Sequence, residues 1–243
     1  MAAKAERLDV SLVNRGLCDS REQARRLILA GEVRVNDQLV DKAARKVGES
    51  DRVEVKEKPK YVSRGGLKLE GALKEFGVDP SGLVCADIGA STGGFTDCLL
   101  QSGAAKVYCF DVGTNQLVYR IRQDERVVAR EKFNARYLTP EDVGEPVDLA
   151  VMDLSFISLT KVLPAVFSVL GDGGAVVCLI KPQFELDRDE IGKGGIVRDE
   201  ALRAKAVDKI RRFVSDQGRE WKGVVESPIT GTDGNQEYLA WIV

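Results

Sequence analysis

Beyond position 60, apolar residues recur in short, nearly unbroken runs such as Leu83-Val84-Cys85-Ala86. Runs of this kind predict buried strands over 83–88, 105–110, 126–129, 147–152, 174–180, 222–226 and 237–243. Between them, helices are predicted over 66–76, 94–102, 115–122, 158–169 and 199–217. Val/Ile/Leu-rich strands separated by amphipathic helices predict an α/β unit: a mostly parallel, seven-stranded sheet with helices on both faces.

Residues 1–58 have a different grain. Leu8 and Leu12 make one helical stripe over 7–15, and Ser20-Arg21-Glu22-Gln23 is a capping box opening a helix that stops at Gly31. Ala24, Leu27 and Ile28 form the apolar stripe of that helix, leaving Arg21, Arg25 and Arg26 on other faces. Short strands follow at 33–35, 39–40 and 52–55, with a turn at Asn36-Asp37. The charged, proline-containing stretch Lys56–Lys60 predicts a boundary: a small α+β domain over 1–58, a linker over 59–64 and the main domain over 65–243.

The first body strand runs into DIGASTGGF, residues 87–95. Gly89 and Gly94 have P-loop spacing, but Phe95 stands where the phosphate-binding lysine belongs. Ser91 occupies the middle glycine of a dinucleotide fingerprint. The next strand ends at Asp111, 22 residues beyond Gly89, where an acidic side chain typically meets ribose hydroxyls. A nucleoside without a phosphate tail fits, and S-adenosylmethionine is the expected cofactor. Its expected contacts are Asp87 at the ammonium, the Gly93 and Gly94 amides at the carboxylate, Asn134 at the adenine edge, and Gly89, Ala90, Ser91, Phe95, Asp111, Val112 and Asp153 around them.

Composition removes several chemistries. The chain has no histidine, and its five cysteines form no Cys-x-x-Cys pair, so imidazole bases and Cys/His metal sites are not expected and no metal is called for. Proton transfer must use Lys, Asp, Glu or Tyr. No apolar run approaches a membrane span, and the N-terminus lacks the apolar core of a signal peptide, so a cytoplasmic protein is expected. The net charge of −2 conceals an asymmetry: residues 1–68 hold 16 Lys and Arg against 11 Asp and Glu, and the remaining 175 hold 20 against 27. A basic head on an acidic body predicts a polyanionic partner for the head.

Polar side chains stand at further strand ends. Asp153 follows one strand and Lys181 the next, where an unpaired lysine would carry a desolvation penalty, so Asp153 is its expected partner. Lys68 starts the first body helix and Glu237 opens the last strand. Lys68, Asp153, Lys181 and Glu237 together make a K-D-K-E set of the kind found in methyltransferases acting on RNA 2′-hydroxyls.

These residues carry a family resemblance. RLDVSLVNRGLCDSREQARRLILAGEVRVN resembles the S-four-type RNA-binding domain. DIGASTGGFTDCLL, VMDLSFIS, LIKPQFE and SPITGTDGNQEYLAW resemble the FtsJ-like methyltransferase domain, a Rossmann-like class I methyltransferase fold. The combination resembles the TlyA (haemolysin A) family of ribosomal RNA 2′-O-methyltransferases. The resemblance implies cytidine in ribosomal RNA as substrate, free or in assembled subunits, and RNA contacts from Arg7, Ser20, Arg21, Arg25, Arg26, Arg34 and Arg64. Lys181 is expected to lower the pKa of the 2′-hydroxyl or to take its proton, with Asp153 orienting it and Lys68 and Glu237 positioning the ribose. Residues 184–198 are expected to be a mobile loop that orders on RNA.

Three alternatives stand beside this reading. A base methyltransferase would use Asp153-Leu154-Ser155-Phe156 as a [D/N]-P-P-[Y/F] motif, but both prolines are missing. A membrane-lysing protein would need a long apolar or amphipathic segment. A non-catalytic RNA-binding assembly factor would not need the K-D-K-E set.

Overall fold

The computed structural model describes residues 5–56, 59–231 and 233–243. It divides into two units, 1–59 and 60–243.

The head is built from β1 (Glu6–Arg7), α1 (Leu8–Asn14), α2 (Arg21–Leu29), β2 (Val33–Val35), β3 (Gln38–Leu39), β4 (Lys46–Val47) and β5 (Val53–Val55). β2 pairs antiparallel with both β3 and β5, and β1 with β4. Leu8, Leu12, Ala24 and Ile28 from the two helices close over Val33, Val35 and Val47, making a small core of their own. Ser20 caps α2 as expected, its hydroxyl accepting from Gln23 N. The Gln23 side chain, however, accepts from Asp19 N, one residue before the position a capping box predicts.

In the body, α3 (Gly65–Phe76) leads into β6 (Val84–Ile88), α4 (Gly94–Gln101), β7 (Lys106–Phe110), α5 (Tyr119–Arg122) and β8 (Val127–Arg130). The chain continues through α6 (Pro140–Val143), β9 (Val147–Met152), α7 (Leu163–Val169), β10 (Leu170–Ile180), α8 (Pro182–Glu185), α9 (Glu200–Asp216), β11 (Trp221–Glu226) and β12 (Tyr238–Ile242). The seven strands are ordered β11-β12-β10-β9-β6-β7-β8, and only β12 opposes the others. Alternate residues of each strand feed two cores. Val151 and Leu179 pack on the face of α3 and α4, while Met152 and Ile180 pack on the face of α7 and α9. Burial on both faces is why the strands read as unbroken apolar runs.

Strand order departs outward from β6 to β8 and then returns to β9 beside β6. A crevice therefore opens beyond the carboxyl ends of β6 and β9, the usual ligand position in such sheets. The residues expected to form a linker belong largely to the body instead. Tyr61 is buried, and Val62 N donates to the buried Asp97 at 2.8 Å. The packing is close: a side chain at Gly66 would lie 2.2 Å from the Tyr61 ring. Among the described residues, no helix is long and apolar enough to cross a membrane.

Candidate active site

The loop after β6 is shaped by backbone requirements. Gly89 has φ of +88°, and a Cβ there would lie 2.5 Å from the Asp153 carbonyl oxygen. Gly93 has φ of +92° and starts α4. Both conformations favour glycine, and the first also lets the β6 and β9 ends approach closely. Asp111, at the end of β7, accepts from Ser91 N at 2.8 Å and Gly113 N at 2.7 Å. It thus ties the glycine loop to the loop that follows β7.

Two cavities meet over this loop, sharing Gly89, Ser91, Asp153 and Ser155. One, of about 480 Å³, is walled by Asp111, Val112, Phe133 and Asn134, with Phe110 beneath Phe133 at a ring separation of 5.0 Å. An apolar wall, a carboxylate and an amide suit a nucleoside. The other, of about 530 Å³, is lined by Ala90, Gly94, Phe95, Arg64 and all four of Lys68, Asp153, Lys181 and Glu237.

Those four side chains form two ion pairs. Lys181 Nζ lies 2.6 Å from Asp153 Oδ1 and donates to Ser155 Oγ at 3.1 Å. Lys68 Nζ donates to Glu237 Oε2 at 2.5 Å, with both side chains nearly buried. Pairing allows charged groups to sit this deep. Beside Lys181, Phe156 is 91% exposed, has φ of +64° and packs on Phe184 at 5.2 Å. An apolar ring held outward in the left-handed region is costly in water and offers a stacking surface.

Residues 61–243 match the FtsJ-like methyltransferase family, and residues 6–53 match the S4 domain. The chain is 50% identical over 242 residues to "Putative rRNA methyltransferase YqxC" of Bacillus subtilis, covering 98% of this chain and 86% of that protein. It is 46% identical over 242 residues to "16S/23S rRNA (cytidine-2'-O)-methyltransferase TlyA" of Mycobacterium tuberculosis, covering 99% and 90%. The chain belongs to the TlyA family. A solved structure titled "Putative hemolysin from Streptococcus thermophilus" matches with a TM-score of 0.74 at 47% identity, over 99% of this chain and 89% of that one.

The TlyA-family cofactor fits the residues present. The glycine loop carries no lysine to hold a triphosphate, and the cavity that Asp111, Phe133 and Asn134 wall accommodates a nucleoside. S-adenosylmethionine supplies an electrophilic methyl group when bound. The chain's own task is to bring a nucleophilic oxygen to that methyl and to manage its proton. Lys181 is held by Asp153 and Ser155 on the cavity wall as an ammonium, which can stabilise a developing alkoxide but, paired in this way, is not poised to take the proton. Lys68 and Glu237, paired with each other, line the same cavity as the glycine loop and add a second donor and acceptor to its wall.

Several expected roles change. Asp87 lines neither cavity: it is fully buried beneath the loop, its Oδ2 taking the Thr96 hydroxyl at 2.6 Å and its Oδ1 having no partner. Burial pushes its carboxyl up to about 7, opposed by the Thr96 hydrogen bond and reinforced by Asp153. The Gly93 amide is spent on Ala90 O at 2.8 Å, so it is not free for a cofactor carboxylate. Asn134 does line the nucleoside cavity, but its side-chain oxygen accepts from Arg136 N, which leaves the amide nitrogen as its free donor.

Among the arginines expected at RNA, Arg64 donates to Thr230 O at 2.7 Å and Arg34 to Asp37 O at 2.9 Å, while Arg7, Arg21 and Arg25 converge on Asp9. Arg26 is exposed in the last turn of α2. The segment 184–198 is tied down at several points rather than free along its length. The buried Glu185 accepts from Ser158 Oγ and Leu159 N, Lys205 pairs with Glu190, and Val197 N donates to Asn235 Oδ1. Ser155, Phe156 and Thr230 join the cavity walls without a signature in the sequence that marks them as site residues. Ser155 and Phe156 lie in the quoted VMDLSFIS stretch, but nothing in that pattern reveals the positive φ that turns Phe156 outward.

Proposed function

We propose that this protein transfers a methyl group from S-adenosylmethionine to the ribose 2′-hydroxyl of a cytidine in ribosomal RNA. One observation carries the reading: Lys68, Asp153, Lys181 and Glu237 line the same cavity as the glycine loop, contiguous with the cavity walled by Asp111, Phe133 and Asn134. The curated relative from Mycobacterium tuberculosis bears the name of that reaction. Lys181 acts at the 2′-oxygen, Asp153 and Ser155 aim it, Lys68 and Glu237 hold the ribose, and Phe156 stacks on the target base. The head engages rRNA, and the form recognised is an assembled subunit; the S4 match over residues 6–53 and the basic charge of the head support an rRNA partner. Such a substrate places the enzyme in the cytoplasm.

The test is transfer of tritiated methyl from S-adenosylmethionine to deproteinised rRNA and to purified 30S and 50S subunits, with Lys181→Ala as control. The reading expects incorporation by the wild type, more with subunits, and loss of at least about 100-fold in the variant. Wild-type incorporation by a folded Lys181→Ala protein contradicts the assignment of Lys181. No incorporation by the wild type with any of these substrates contradicts the activity.

A further inference from the structure

The head contains a side-chain cluster that its fold alone does not require. Asp9, in the first turn of α1, has no exposed surface. Arg7 Nε donates to its Oδ1 at 2.9 Å and Arg7 Nη2 to its Oδ2 at 3.2 Å. Arg21 Nη2 and Arg25 Nε donate to the same Oδ2 at 3.0 and 3.3 Å. Arg21 and Arg25 lie four residues apart on α2 and so share one face. Together the three guanidiniums hold the Asp9 carboxyl well below the usual carboxylate range, Arg7 contributing most.

The fork from Arg7 by itself neutralises and hydrogen-bonds this carboxylate. Two further guanidiniums are in excess, and their side chains remain 53% and 55% exposed. Three like charges crowded on one anion repel each other and leave a surplus of two positive charges at the surface. A guanidinium has five N–H donors, of which Arg21 and Arg25 each spend one on Asp9, so most of their donors remain for a ligand. Arg15 shows the contrasting arrangement: its guanidinium is folded back on the carbonyls of Asp51 and Gly48.

We propose that Asp9 is a positioning residue, a buried carboxylate that gathers Arg7, Arg21 and Arg25 into a preorganised clamp for phosphates of a folded RNA backbone. This rests on the reading of the head as an rRNA binder and adds to it the residue that sets the clamp's geometry. Preorganised forks lose less freedom on binding phosphate than free side chains do, and they favour a backbone whose phosphates are themselves fixed.

The consequence has an unusual sign. Asp9→Asn makes the head more positive, so diffuse electrostatics predicts tighter binding to any RNA. Positioning predicts the opposite for folded RNA. The test measures binding of the full chain to refolded, deproteinised 16S and 23S rRNA and to unstructured poly(U), across a salt series, with thermal melting as a fold control. D9N should bind folded rRNA about tenfold more weakly while holding poly(U) at least as tightly as the wild type. R21K/R25K keeps every charge and the Arg7 fork on Asp9. It should show the same selective loss, without a change in the salt slope on poly(U).

Wild-type affinity for folded rRNA in both variants overturns the positioning role while leaving the head an RNA binder. If D9N fails to fold, R21K/R25K decides alone, and wild-type affinity there overturns the proposal. A wild type that binds neither RNA overturns the RNA reading of the head and the clamp with it.

Discussion

Asp87 should make the stability of the cofactor-free protein fall as pH rises, and Asp87→Asn should remove that dependence. The carboxyl is completely buried, and burial raises it from 3.8 to about 7. Below pH 4 both the folded and unfolded chains carry the proton, and the group's contribution is fully present. Between pH 4 and 7 the unfolded chain ionises while the folded chain keeps its proton, so stability is lost throughout that window. The whole difference amounts to about 4 kcal/mol, of which about 3 kcal/mol falls between pH 5 and 8. The Asp87→Asn side chain would keep the acceptor for Thr96 but place an amide where Oδ1 has no partner, a pH-independent penalty of about 1–3 kcal/mol. Urea unfolding of both proteins at pH 5, 6, 7 and 8, without cofactor, isolates the effect, since all other titrations cancel in the difference. The variant should gain about 3 kcal/mol relative to the wild type from pH 5 to pH 8. A difference that stays flat across this range would mean that the carboxyl titrates alike folded and unfolded, and that burial does not raise it.

Gly89→Ala should abolish S-adenosylmethionine binding by calorimetry while the chain stays folded, since the new Cβ would meet the Asp153 carbonyl at 2.5 Å at a positive φ. Glu237→Gln strips the nearly buried Lys68 of its charged partner and should lower stability by about 3–5 kcal/mol in urea, besides reducing turnover. Phe156→Ala should leave the melting temperature within about 1 °C, because a ring 91% exposed buries little, yet raise KM for RNA more than it alters cofactor affinity.

How far these features were legible in the sequence depends on what each one rests on. β6, β7, β9 and β10 were legible because burial on both faces makes each a continuous apolar run, and their ends, where Asp111, Asp153 and Lys181 stand, were readable with them. The expected helix over 115–122 contracts to Tyr119–Arg122 because the backbone before it is held in a loop: Gly113 N donates to Asp111, Asn115 N donates to Glu131, and Asn115 has φ of +53°. β10 begins earlier than expected, at Leu170, since its glycine-rich start pairs with β9 through a register shift that periodicity does not reveal. The Asp153–Lys181 pair followed from adjacent strand ends. The Lys68–Glu237 pair spans 169 residues and exists only because β12 returns antiparallel beside β10, a tertiary fact with no local signature. Asp9 lies inside the S4-like stretch RLDVSL, yet its burial beneath three arginines arises only once α1 and α2 pack together.

A 2′-O-methyltransferase leaves its methyl group on a ribose oxygen and not on a base. The most direct measurement is nucleoside mass spectrometry of rRNA from subunits incubated with the enzyme and isotopically labelled S-adenosylmethionine. Labelled 2′-O-methylcytidine is expected with the wild type and is absent when Lys181→Ala replaces it. Label on the cytosine base instead would contradict the assignment of Lys68, Asp153, Lys181 and Glu237 to a ribose hydroxyl.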